Sequence, residues 1–328
     1  MPKIDINEKR GDPEARVDLE RFWEDSADLK ASNHVVTPLD WSQSIESSSF
    51  EKFPEKGDFF VPIGRIENTK NAWLSYDLSI GKNLLAAGGM FSGVGMFLRV
   101  SLLHLISNYD SENLRILMID PADKLADFDN VPHLLKPRIR SVEDGLKELA
   151  WLESEYRKRY DFLRREGCST VWKYQEKNPN DKSKMPHILV FCSELGEFFR
   201  ADKELTDKTV IESFCSPAGL GLYTLFATQQ PDAEMFEVFK IAPAVAAFQM
   251  PYEKESKFFT GAGGAEKLLG QGDMFFSFAG GEDFQLLDKF KGIPGLDFEK
   301  DSPRKRVRAQ GLHVDLDKTR SMAQEACG

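Results

Sequence analysis

The chain has 328 residues and a mass of 37.2 kDa, enough for one large α/β core with a small accessory piece. Hydrophobic residues make up 41% and charged residues 29%, the balance of a globular protein, and no run approaches the roughly 18 uninterrupted apolar residues of a membrane span. A net charge of −10 mildly opposes nucleic acid in general and leaves room only for a local basic patch.

Met1 to Arg16 is polar and acidic, without the apolar core of a signal peptide. Asp12-Pro13-Glu14 reads as a helix start, followed by Val17, Phe22, Trp23 and Leu29 among charges. Residues 33–57 are rich in Ser and Pro and predict a loop with a short helix. Residues 61–66 and 73–78 predict a hairpin around Glu67-Asn68-Thr69-Lys70-Asn71. From residue 83 buried strands alternate with helices: strands at 83–88, 115–120, 187–193, 222–228 and 245–250, most of them near-continuous apolar runs, as expected when helices cover both faces of a sheet. The helix at 141–166 is the clearest, with Val142, Leu146, Leu149, Leu152 and Tyr156 at three- and four-residue steps. From 297 onward the chain is polar, with the basic run Arg304-Lys305-Arg306-Val307-Arg308, and predicts a loosely ordered tail. The expected domains are therefore an N-terminal helical and loop extension at 1–57, a main domain at 58–296 and a polar tail at 297–328. Cys168, Cys192, Cys215 and Cys327 lack C-x-x-C spacing, which fits reduced thiols in a cytoplasmic protein better than a zinc site or a disulfide frame.

The chemically informative stretch is a strand, Asn83 to Gly88, then the glycine-rich turn Gly89-Met90-Phe91-Ser92-Gly93-Val94-Gly95, then an apolar helix from Met96 to Ile106. That frame suits a phosphate-binding loop, in which backbone N–H groups and a helix N-terminus cradle phosphates. Gly88 and Gly93 keep the spacing of G-x-x-x-x-G-K-[ST], but Val94 and Gly95 stand where the lysine and the Mg²⁺-ligating hydroxyl belong. The candidate nucleotide-binding residues are thus Gly88, Gly89, Met90, Phe91, Ser92, Gly93, Val94, Gly95 and Met96, with Met90 and Phe91 placed to fill the space of the missing phosphates. No metal site is predicted: His133 and His187 have no ligand company.

Over residues 46–278 the chain resembles the motor domain of the FtsK/SpoIIIE DNA translocases. The resemblance rests on Ser49-Phe50 through Ile63-Gly64, Leu84 to Gly88, Ile119-Asp120-Pro121 followed by Val131-Pro132-His133-Leu134-Leu135, Trp151 to Tyr160, and Ala227-Thr228-Gln229. Its most specific part is Gly263-Gly264-Ala265-Glu266-Lys267-Leu268-Leu269-Gly270, then Gly272-Asp273-Met274. It implies a RecA-like P-loop NTPase fold, with a central, mostly parallel sheet and helices on both faces. It also implies ATP and Mg²⁺ as cofactors, an oligomeric ring of like or mixed FtsK-type subunits, and double-stranded DNA as partner. Two residues would be catalytic by that resemblance: Glu194 as the base that polarises water, and Gln229 as a vestigial γ-phosphate sensor.

The departures weigh against hydrolysis. Ser193 precedes Glu194 where the family has an Asp that helps hold Mg²⁺, and Gln230, Ala218 and Val245 fall where it carries arginines, Ala122 where it carries a lysine. Phosphoryl transfer depends on charge neutralisation, and an arginine finger alone is worth on the order of 10³–10⁵ in rate. Three readings stand in this order: a hydrolysis-deficient pseudo-ATPase acting as scaffold or regulatory subunit of a translocase assembly; an active translocase in which Glu194 is the base and Lys82 or Lys124 replaces the missing ammonium; and a degenerate motor-like domain that binds a protein partner, similar to those of type VII secretion ATPases.

Overall fold

This computed structural model describes residues 39–40, 59–66, 73–81, 83–179, 185–216, 218–231, 235–279 and 304–325. The helix expected from Asp12, nearly all of the 33–57 loop, the 67–71 turn and Lys82 lie outside the described residues. Apart from a two-residue strand β1 (Leu39–Asp40), the described chain opens with β2 (Phe60–Ile66) and β3 (Trp73–Asp77), which pair antiparallel as the expected hairpin. A short α1 (Leu78–Gly81) leads into β4 (Asn83–Ala87) and α2 (Val94–Asn108). Then follow β5 (Leu114–Ile119), α3 (Val142–Arg165), α4 (Val171–Lys177), β6 (His187–Cys192), α5 (Leu195–Ala201) and α6 (Lys203–Cys215). The chain continues through β7 (Leu222–Thr228), α7 (Phe236–Ile241), β8 (Ala244–Phe248), α8 (Glu253–Thr260) and β9 (Asp273–Ala279). After the undescribed stretch come β10 (Arg304–Gln310), β11 (Leu312–His313) and α9 (Leu316–Glu325).

The main sheet has nine strands in the order β3-β2-β10-β9-β8-β4-β7-β6-β5. From β8 to β5 every neighbouring pair is parallel; from β8 outward through β9, β10, β2 and β3 every pair is antiparallel. The parallel part is buried on both faces, so alternate residues of one strand enter different cores. Leu84 and Ala86 of β4 join α2 on one side, whereas Leu85 and Ala87 join α3, α5 and α6 on the other. This is why each of these strands reads as an unbroken apolar run. The α3 helix is opened by Ser141, whose Oγ accepts from Asp144 N at 3.1 Å.

The basic run expected in a loose tail is instead β10, an interior strand between β9 and β2. Val307 and Ala309 face the core at 4% and 1% exposure, while the alternate arginines lie on the other face. There the Arg306 guanidinium stands 4.7 Å from the Phe275 ring centroid and Arg308 pairs with Asp273 at 2.7 Å. Period-two burial with paired arginines explains how so polar a segment sits inside a sheet.

Candidate functional site

The carboxyl ends of β5, β6, β7, β4 and β8 share one edge of the sheet, and the chain order reverses beside β4, the place where open α/β sheets bind ligands. The glycine turn leaves β4 there. Gly88 N donates to Thr228 O at 3.2 Å and Gly89 N to Gln249 O at 2.8 Å, tying the turn to the ends of β7 and β8. Phe91 adopts a left-handed φ of 62° and Gly93 a φ of 120°. A Cβ on Gly93 would lie 2.4 Å from Gly272 N, and Gly272 N donates to Ser92 O at 2.8 Å. The two glycine-rich motifs of the sequence are therefore packed on each other.

Gly93 caps α2 without a side-chain hydrogen bond, and Phe97 N returns to Gly93 O at 2.9 Å. The backbone thus keeps the shape of a phosphate loop. Its side chains do not keep the chemistry. Val94 is 1% exposed and belongs to the core beneath α2. Gly95 leaves only backbone beside the Gln229 amide: a Cβ there would sit 3.6 Å from Gln229 Nε2. Met90 and Phe91, expected to fill the space over the loop, are instead 64% and 80% exposed at its edge.

Glu194 follows β6 and is 4% exposed. Its Oε1 accepts from Thr228 Oγ1 at 2.5 Å, its Oε2 accepts from Gln229 N at 3.0 Å, and Lys124 Nζ stands 3.5 Å from Oε2. Of the two residues expected to be catalytic, Gln229 stands beside Gly95 of the glycine turn, and Glu194 contacts Thr228, Gln229 and Lys124. Gln229 reaches Glu194 through its backbone N–H, and its side chain faces the cavity over the loop.

Ser193 Oγ donates to Asp120 Oδ1 at 2.5 Å, so the hydroxyl standing in the metal-holding position is turned to the end of the neighbouring strand. Asp120 is itself enclosed: its Oδ2 accepts from Arg138 Nη1 and from Leu125 N, each at 2.8 Å. Arg138 also binds Asp123 at 2.6 Å and Asp129 at 2.5 Å. The hydrogen bond from Arg138 leads the effects that hold Asp129 below the usual carboxylate range, against its partial burial. Magnesium triphosphate does not fit this set. Gly95 has no side chain at one metal-holding position, the Ser193 hydroxyl at the other is given to Asp120, and Glu194 is engaged by donors on both oxygens.

His187 and His133 are structural. His187, at the opposite end of β6, lies 3.9 Å from Trp172 ring to ring, and its Nδ1 is 3.0 Å from Tyr223 Oη. Burial holds it neutral, well below the usual imidazole range. His133 Nε2 donates to Tyr109 O at 2.6 Å. Val245 is fully buried in β8, and Gln230 and Ala122 are exposed. Cys192 is buried, which pushes its thiol up and out of reach of ionisation.

Above the turn lies a cavity of about 690 Å³. Its near wall is Met90, Phe91, Gly93, Gly95 and Met96; its sides are Arg99, Asp123, Lys124 and Gln229. Gln271-Gly272, packed on the turn, and Gly311-Leu312-His313 beyond β10 complete the lining. That last segment was missed from sequence, because it follows what reads as a tail. Gly272 was in view as part of the specific 263–274 motif.

A mixed sheet of this order, parallel from β8 to β5 and with a glycine turn at the end of β4, defines the chain as a RecA-like P-loop ATPase fold. Solved structures share it: the cytoplasmic domain of the Thermomonospora curvata type VII secretion ATPase EccC has a TM-score of 0.69 at 16% identity, covering 89% of this chain and 35% of that one. The pCW3 conjugation coupling protein TcpA, in its monomer form with ATPgS, has a TM-score of 0.62 at 19% identity, covering 84% of this chain and 72% of that one. The FtsK/SpoIIIE family pattern matches residues 45–266, and the chain belongs to that family. Among curated relatives, the DNA translocase FtsK of Leptospira interrogans is 28% identical over 229 residues, 67% of this chain and 24% of that protein. The DNA translocase SftA of Bacillus subtilis is 25% identical over 253 residues, 76% of this chain and 26% of that protein. The chain thus spans about a quarter of these relatives' length. Among the described residues no helix is long and apolar enough to cross a membrane.

Proposed function

We propose that this chain is a hydrolysis-deficient FtsK/SpoIIIE-type domain that serves as a scaffold or regulatory subunit of a translocase assembly. One observation carries the reading: the turn retains the backbone of a phosphate loop while the residue after Gly93, Val94, is sealed in the core and presents no ammonium to the cavity. The carboxylate expected to polarise water supports it, since Glu194 is bound by Thr228 and Gln229. In the active-translocase reading Lys124 would supply the missing charge, but a phosphate would have to compete for its ammonium with Glu194, the base that reading needs. Oligomeric contact with FtsK-type subunits and contact with double-stranded DNA remain parts of the proposal drawn from the family. The exposed Met90 and Phe91 at the cavity edge favour, as a second reading, contact with a protein partner.

The test is steady-state ATP hydrolysis with Mg²⁺, with and without duplex DNA. Turnover at the level of the protein-free blank is expected, unchanged in Glu194→Ala. Turnover that disappears in Glu194→Ala contradicts the proposal.

A further inference from the structure

We propose that the cavity over the glycine turn is a metal-independent site for an organic phosphate of low charge. Lys124 is its cation, and Glu194 is an internal anion that competes with the ligand for that cation. The inference rests on the reading of a site that does not hydrolyse ATP, and it assigns a ligand class to that site.

The Lys124–Glu194 contact is loose at 3.5 Å, well beyond the 2.7–2.9 Å typical of a charged N–H···O bond. Its two ends differ in what they lose by parting. Glu194 keeps Thr228 Oγ1 and Gln229 N when the ammonium leaves, so its carboxylate stays hydrogen-bonded. Lys124 has a side chain 26% exposed and lines the cavity, so it moves into the cavity without being stripped of all solvent.

The backbone that carries Lys124 is fixed on every side. Arg99 donates to Lys124 O, Leu125 N donates to Asp120, and Asp123, at a φ of 53°, is bound by Arg138. Only the lysine side chain has to turn, which lowers the ordering cost of binding. The other charged lining groups are committed elsewhere: Arg99 to Asp127, and Asp123 to Arg138.

The size and walls of the cavity set the ligand class. A volume of about 690 Å³ falls within the range of small-molecule sites. Met96, Leu312 and the edge residue Phe91 offer apolar surface for the body of a ligand, and Gln229 and the exposed His313 offer polar contacts. One available ammonium matches one phosphoryl group, not the several charges of a triphosphate with its metal.

The experiment is calorimetric titration in excess EDTA, using adenosine monophosphate and inorganic phosphate as probes against wild type, Glu194→Gln and Lys124→Gln. Adenosine monophosphate should bind more tightly than phosphate. Glu194→Gln should tighten binding by about tenfold or more, the order expected when an opposing charge a few ångströms away is removed at a partly exposed site. Lys124→Gln, at a position that leaves the core untouched, should abolish it. Equal affinity in wild type and Glu194→Gln, no binding in either, or undiminished binding in Lys124→Gln overturns the inference. Magnesium-dependent ATP turnover is read in a separate assay; it would sink the non-hydrolysing reading and so is not confused with failure here.

Discussion

Arg138→Met is expected to destabilise the folded protein by about 3–5 kcal/mol, the range for removing one partner of a buried ion pair. The Arg138 side chain is 1% exposed and the Asp120 side chain fully buried, with 2.8 Å between their charged atoms. Deleting the guanidinium leaves the enclosed Asp120 carboxyl without its cation, with only Ser193 Oγ and Leu125 N as donors. It also removes the buried partner of Asp123 and Asp129, leaving them only the exposed Arg140. Urea denaturation should show the midpoint falling with little change in slope. The double variant Arg138→Met/Asp120→Asn should recover a large part of the loss, since the orphaned charge goes with its partner. A double variant no more stable than the single one would mean that the arginine acts through packing of its stem.

The contact of Arg138 with Asp129 predicts a pH signature. Arg138 depresses the folded-state pKa of Asp129, so that contribution is complete above the carboxylate's unfolded pKa, about 4. It is lost as pH falls through the lower, folded value. Wild type and Arg138→Met should therefore differ by a constant amount near neutrality, and the gap should narrow as pH falls below about 4. A gap that widens toward acid contradicts the assignment.

The parallel half of the sheet was legible because burial on both faces leaves no room for polar residues: Leu84 to Ala87 and Ile188 to Cys192 could hardly be anything else. The antiparallel half was not. Among the described side chains of β10 Val307 and Ala309 face the core, while Arg306 lies over the Phe275 ring and Arg308 pairs with Asp273, partners about 30 residues away in sequence. β9 was masked differently, since its first residues, Asp273 and Met274, read as the end of a glycine motif. At the site the positions of Glu194 and Gln229 could be read from resemblance, but not what engages them. The Ser193–Asp120 hydrogen bond spans 73 residues. Its consequence, a hydroxyl turned from the cavity toward Arg138's carboxylate cluster, follows from tertiary packing that no local pattern encodes. Spacing alone also placed Met90 and Phe91 over the loop; a left-handed Phe91 instead carries its side chain out to the edge.

Gly93→Ala should cost about 2–4 kcal/mol, combining a strained φ with a broken or stretched buried hydrogen bond. At a φ of 120° an alanine has no comfortable conformation, and its methyl would lie 2.4 Å from Gly272 N and 2.6 Å from Gly272 Cα. Those are backbone atoms, so no rotamer change relieves the clash. Either the 270–272 turn retreats and the Gly272 N to Ser92 O bond at 2.8 Å is lost, or the glycine turn itself shifts off β8. Gly89→Ala is the control: its methyl meets nothing nearer than 3.6 Å, so stability within about 1 kcal/mol of wild type is expected. Measured by thermal or chemical denaturation without any ligand, the contrast separates two explanations of the retained glycine spacing. If the contact with Gly272 contributes nothing, Gly93→Ala should cost only the strain of its φ, no more than about 1–3 kcal/mol, and leave the Gly272 N to Ser92 O bond intact. If it is kept because two turns must touch where β4 ends and β9 begins, the ligand-free loss exceeds that strain and the bond is broken. The second result explains how a turn can hold the outline of a phosphate loop after Val94 and Gly95 have removed the loop's charge and hydroxyl.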